Sequence, residues 1–134
     1  MKPVEQTEPH PPTGNCFAAC VASILEIPLS EVPQITAEEG ATEGGQEQYW
    51  YRVRRWLNER NLDFTGYRVN ENLTPNGYAI LTVDYGPHWH CVVALDGEVV
   101  WNPDPRRGQW ALPERDMWVD WSQFAIMDPA KPIG

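Results

Sequence analysis

His90-Cys91-Val92-Val93-Ala94-Leu95-Asp96-Gly97-Glu98-Val99-Val100-Trp101-Asn102 is the stretch that decides the fold class. Two runs rich in apolar and β-branched residues flank Asp-Gly, the dipeptide whose backbone preference suits a tight hairpin turn. The stretch predicts two antiparallel strands. Pro103 and Pro105 stop the second one, because neither offers the N–H that a ladder needs. Upstream, Gly77 to Val83 is rich in Tyr, Ile, Leu, Thr and Val and reads as another strand. Leu62 to Tyr67 alternates more loosely and reads as a third. Downstream, Asp116 to Trp121 and Phe124 to Met127 supply a turn and one closing strand.

The helices lie on the N-terminal side of these strands. Phe17, Ala18, Cys20, Val21, Ile24 and Leu25 recur at offsets of three and four, which is one face of a helix from about Cys16 to Leu25. Asn15 or Thr13 stands where a cap belongs. Ile27-Pro28-Leu29 ends this helix, and Ser30-Glu31-Val32-Pro33 suggests one more short turn. Thr36 to Glu47, polar and rich in Gly and Glu, is expected to be a surface loop. Tyr49 to Arg60 reads as a second helix that buries Trp50, Val53, Trp56 and Leu57 and turns Arg52, Arg54 and Arg55 to solvent. Together these predict an α+β fold with an N-terminal helix packed on a small antiparallel sheet. At 134 residues the chain, 1–134, is expected to form a single domain.

Composition narrows the function classes. Ten Lys and Arg against 19 Asp and Glu give a formal charge of -9. That balance argues against a nucleic acid or an anionic membrane as partner. Cys16, Cys20 and Cys91 cannot all pair within one chain, so free thiols and a reducing, cytoplasmic setting are expected. The stretch from Met1 to Gln6 has no apolar run of the secretory kind, and no stretch approaches the roughly 20 apolar residues of a membrane span.

Cys16 sits where a polar loop becomes an apolar helix. A thiol at a helix N-terminus feels the positive end of the dipole, which favours thiolate. Cys20, one turn further in, reads as a small buried hydrophobe. His90 opens a hairpin strand, so its ring can be held rigidly with one nitrogen toward a nucleophile while a third group orients the other. Asn102 ends the partner strand and comes back toward His90; Asp104, two residues on, competes for the orienting role. His88 faces the same way as His90 and competes as base. The bland alternative makes His90 a strand residue near solvent and Asn102 only a turn former. His88, His90, Cys91 and Asp104 are zinc-type ligands, but the chain has no spaced Cys pair and no His-Glu-x-x-His helix, so no metal and no other cofactor is expected. Trp50, Tyr85, Trp89 and Trp101 are candidates either for a groove or for the core.

Gly14-Asn15-Cys16-Phe17-Ala18-Ala19-Cys20-Val21-Ala22-Ser23-Ile24-Leu25, followed by Ile27-Pro28-Leu29-Ser30-Glu31-Val32-Pro33, resembles small bacterial and phage-encoded papain-like cysteine proteins. These are distantly similar to the peptidase domains of bacteriocin exporters, the C39-like group. The resemblance covers the stretches around Cys16 and from His90 to Pro105. It implies a papain-like fold with Cys16 as nucleophile, His90 as base and Asn102, heading Asn102-Pro103-Asp104-Pro105, as orienting residue. It also implies that Gln6 joins the backbone N–H of Cys16 in an oxyanion hole. Asn102 stands where the exporter peptidases usually have Asp, although papain itself uses Asn. Gln6 lies ten residues before Cys16, with Pro9, Pro11 and Pro12 between them, a longer spacing than the group would suggest. The activity implied is hydrolysis of a peptide or isopeptide bond in a peptide or protein substrate. Its rival is a non-catalytic protein-binding module that keeps the papain-like fold, which the Trp-rich C-terminal half and acidic surface would suit.

Overall fold

In the computed structural model, residues 1–8, 14–86, 89–106 and 113–133 are described. Helices α1 (Cys16–Leu25), α2 (Ala37–Ala41) and α3 (Gly45–Asn58) come first. Strands β1 (Leu62–Arg68), β2 (Tyr78–Asp84), β3 (Trp89–Leu95), β4 (Glu98–Trp101) and β5 (Trp118–Ile126) follow, with short 3-10 turns at Leu29–Glu31 and Arg115–Met117. The strands form one antiparallel sheet in the order β1-β5-β2-β3-β4. The last strand in sequence thus inserts between the first two.

The hairpin turns where its residues allow. Asp96 (φ 52°) and Gly97 (φ 83°) both take left-handed backbone, the pair of conformations that a two-residue turn matched to strand twist requires. The Asp96 carboxylate also accepts the Gly77 N–H at 2.7 Å, which ties the hairpin tip to the start of β2. β3 is buried along most of its length because both faces of the sheet carry apolar cover. On one face Ile80, Cys91 and Val93 pack against Phe17, Ala18 and Val21 of α1 and Tyr49, Val53 and Leu57 of α3. On the other, Ala79, Leu81, Val83, Val92 and Ala94 gather around Trp121.

The helices do not cover the sheet evenly. α1 packs on β3 and β2, and α3 packs on β1. Over β5, between them, lies a groove.

Several expectations need correction. The segment 36–47 is not a loop: Thr36 caps α2 in a reciprocal capping box, accepting the Glu39 N–H at 3.0 Å while Glu39 accepts the Thr36 N–H at 3.0 Å. Arg52 is not turned to solvent, since its guanidinium grips the Glu39 carboxylate at 2.9 and 2.6 Å and the Gln34 carbonyl at 2.6 Å. α3 accordingly begins at Gly45, where any Cβ would fall 1.8 Å from the Glu39 carbonyl oxygen. Its buried stripe is Gly45, Tyr49, Val53 and Leu57, so Trp50 and Trp56 flank that stripe. Trp56 instead stacks under Arg60, and Trp50 meets Phe17 edge-on at 4.6 Å. Finally, Asn15 holds the cap position of α1 without capping it. Its side chain binds the N-terminal arm instead; Thr13, the other candidate cap, lies outside the described residues.

Candidate active site

The site begins with the N-terminal arm. Asn15 Oδ1 accepts the N–H groups of Thr7 (3.1 Å) and Glu8 (2.9 Å), and Asn15 Nδ2 donates to Thr7 Oγ1 and Gln34 Oε1. The residue beside Cys16 thereby clamps the arm against the mouth of α1. Gln6, on that arm, donates its backbone N–H to Pro103 O at 2.8 Å and is buried. The ten-residue separation from Cys16 is closed by this folding back, and Gln6 lines the same cavity as Cys16 and His90. One N–H of its amide goes to Glu8 O at 3.2 Å, while its buried Oε1 has no hydrogen-bond partner among the described residues.

Because the Asn15 side chain turns to the arm, it does not cap the first N–H groups of α1. These groups and the helix dipole are left to act on charge at the Cys16 sulfur or on an oxygen bound beside it.

His90 and Asn102 meet where β3 begins and β4 has ended. His90 Nε2 stands 2.7 Å from Asn102 Oδ1. The same oxygen accepts the backbone N–H of Asp104 at 3.0 Å, which fixes it as the oxygen and not the amide nitrogen. An oxygen with no proton can only accept, so Nε2 carries the hydrogen and Nδ1 is the ring nitrogen left to meet the sulfur. One atom of Asn102 thus both closes the turn onto Asp104 and meets the His90 ring. His90 is 5 % exposed and not a surface residue.

Asp104, the competing orienter, touches Asn102 through its backbone. Its own side chain is fully buried and paired with Arg106, at 3.1 Å from Nε and 2.9 Å from Nη2. Burial pushes the Asp104 carboxyl up, but the Arg106 hydrogen bonds outweigh it and hold the group below the ordinary range. The resulting negative charge favours a protonated His90 from a second layer.

Cys16 is held well below the usual thiol range. The largest contribution is a hydrogen bond from the Cys91 thiol; burial opposes it, and hydrogen bonding and charge from His90 add to it. His90 is shifted upward: burial pulls it down, but the Cys16 sulfur, Asn102 and Asp104 more than compensate. Cys91 moves well above its ordinary value, chiefly through the Cys16 hydrogen bond and then burial. Of the two facing thiols, Cys16 is the one held down and Cys91 the one pushed up.

Cys91 is the site residue that sequence reasoning missed, read there only as a free thiol or metal-type ligand. Its signal was positional, since it follows His90 on the same short strand. Arg106 was missed likewise, although its place two residues after Asp104 suits the turn it closes at 2.8 Å. Trp50 and Trp89 line the cavity, whereas Tyr85 and Trp101 are not among its walls. Trp101 donates its indole N–H to Val4 O at 3.1 Å and helps hold the arm. His88, the competing base, lies outside the described residues.

The class defined here is a small α+β domain whose helix packs on an antiparallel sheet and whose Cys16, His90 and Asn102 cluster in the manner of a papain-like catalytic arrangement. Comparison of the chain with protein-family models, with curated proteins and with solved structures finds no match. The functional reading accordingly rests on the geometry.

Proposed function

We propose that this chain is a cysteine hydrolase that cleaves a peptide or isopeptide bond through Cys16, His90 and Asn102. The observation that carries the reading is the doubly bound Asn102 oxygen, which sets the His90 ring with Nδ1 available to a sulfur already biased toward thiolate.

In the first step the Cys16 thiolate attacks the amide carbonyl, forming the C–S bond as the carbonyl oxygen takes up negative charge. The Cys16 backbone N–H and the second amide hydrogen of Gln6 are the donors offered to that oxygen. His90, protonated, gives its proton to the leaving amine as the C–N bond breaks. Water, deprotonated by His90, then attacks the thioester and releases the acid, returning Cys16 as thiolate beside an imidazolium. We read the substrate as a peptide or protein, and the acidic, thiol-bearing chain as suited to a cytoplasmic setting.

The test is selective alkylation. With limiting iodoacetamide near neutral pH, Cys16 is expected to be modified at least about tenfold faster than Cys20 or Cys91, given how strongly rate follows thiolate fraction. His90→Ala is expected to abolish most of that advantage. Equal rates for the three thiols, or no effect of His90→Ala, would leave a papain-like binding module as the better description.

A further inference from the structure

The cavity that opens from Cys16 extends well past the cluster, to a volume of about 780 Å³. Its floor is the helix-side face of β5 and its neighbours, the part of the sheet lying between the cover of α1 and that of α3. Thr82, Asp120 and Ser122 contribute to this floor, and Phe17, Trp50 and Phe64 form an aromatic wall. Strand register sets the distances. Thr82 on β2 is paired with Cys91 on one side and with Asp120 on the other. Two inter-strand steps place Asp120 roughly 10 Å from Cys91. A long side chain one or two residues from a bond held at Cys16 spans that gap.

The charges around the groove are unequal. Arg54 is paired with Asp63 at 3.0 Å and Arg106 with Asp104 at 2.9 Å. Asp120 is half-buried, and no described residue forms a hydrogen bond or ion pair with its carboxylate. Arg68, opposite it on β1, is exposed and makes no ion pair with it. The Asp120 carboxylate lines the groove with no described cation on it, so it is free to pair with the cation of a ligand.

We infer that the groove over β5 selects substrates with a basic side chain within two residues of the scissile bond, the apolar stem crossing Thr82 and the charged head meeting Asp120. The inference rests on the hydrolase reading for its scissile bond, though the groove itself can be tested apart from catalysis. A long basic side chain suits both the distance and the floor, since its stem is apolar and only its tip is charged.

The experiment maps cleavage sites in a randomised peptide mixture by mass spectrometry for the native protein, Asp120→Asn and Asp120→Lys. Lys or Arg should be enriched at one fixed position near the cut. Asp120→Asn should lower kcat/KM for a basic peptide about tenfold or more and leave a neutral analogue within about twofold. Asp120→Lys should shift preference toward Asp or Glu. Cleavage without basic enrichment, or equal losses on both peptides, overturns the inference and leaves the hydrolase standing.

A second measurement separates the two failures. In Cys16→Ala protein, backbone amide shifts of Thr82 and Ser122 are followed during titration with acetyl-arginine methylamide and with its uncharged citrulline counterpart. Selective response to arginine, lost in Asp120→Asn, upholds the groove even if alkylation shows Cys16 to be unreactive. Equal response to both ligands, or none to either, overturns it.

Discussion

At the scale of single residues, the site turns on which protons sit where. Cys16 is lowered and His90 raised, so the thiolate exists above the depressed thiol value and the imidazolium below the elevated ring value. Both shifts favour the thiolate–imidazolium pair over the neutral pair. Thiolate absorbance and alkylation rate should therefore persist to lower pH than for an ordinary thiol, falling as pH drops through the lowered Cys16 value. In His90→Ala the midpoint should move up toward the ordinary thiol value of about 8.5. A midpoint unchanged by His90→Ala would mean that the ring does not stabilise the thiolate. Cys91 offers a sharper test, because its hydrogen bond is the largest single influence on Cys16. Cys91→Ala should raise the Cys16 midpoint, and Cys91→Ser, which restores a donor, should bring it back down. If Ala and Ser behave alike, Cys91 is packing only. Asp104→Asn removes charge that favours protonated His90, so the high-pH limb of activity should shift to lower pH.

At the scale of elements, the lesson lies in which patterns carried their own physics. The hairpin was legible because Asp96-Gly97 specifies its turn without help from the rest of the chain, and α1 because its apolar residues keep helical spacing from Phe17 to Leu25. α2 was not, since five residues, AEEGA, show no periodicity, and its only sign was Thr36 with Glu39 three residues on. The stripe of α3 was legible in part for a related reason. Val53 and Leu57 are buried as expected, but Gly45 presses on the Glu39 backbone, which turns Tyr49 inward with them and leaves Trp50 and Trp56 at the flanks. The α2–α3 unit thus depends on Glu39. Its carboxyl is lowered to about 2, first through the Arg52 hydrogen bond. A carboxyl lowered on folding stabilises the native state above its unfolded value, and the contribution is lost as pH falls through about 2. Glu39→Ala should destabilise the protein by about 1–2 kcal/mol at neutral pH through the lost cap and ion pair, and by less in acid. Denaturant midpoints at pH 7 and pH 3 check this; an equal loss at both would assign the cost to packing.

At the scale of the whole molecule, the site is assembled from the mouth of α1, the end of the sheet where β3 begins and β4 exits, and an arm that precedes both. Cys16 comes from α1, His90 from β3, Asn102 from the exit of β4, and Gln6 from residues laced across both. The lacing is explicit: Lys2 N to Ser23 O (3.0 Å), Val4 N to Ser23 Oγ (2.9 Å), Trp101 Nε1 to Val4 O (3.1 Å) and Gln6 N to Pro103 O (2.8 Å). None of this was readable from local pattern, because each bond joins residues far apart in sequence and uses the backbone of a segment with no periodicity. If the arm presents Gln6 to an oxyanion, its effects must separate from those on the thiolate. Gln6→Ala should lower kcat on an amide substrate about a hundredfold, the size seen when one oxyanion donor is lost, while leaving alkylation of Cys16 unchanged. Trp101→Phe removes the indole N–H and leaves most of the ring packing. It should cost about 1 kcal/mol of stability and move kcat in the same direction as Gln6→Ala by a smaller factor. The two changes share one route, so Trp101→Phe should add little to Gln6→Ala when combined. Full additivity would mean that the arm only braces α1, and a loss of alkylation rate in Gln6→Ala would place Gln6 with the thiolate and not with the oxygen it is argued to meet.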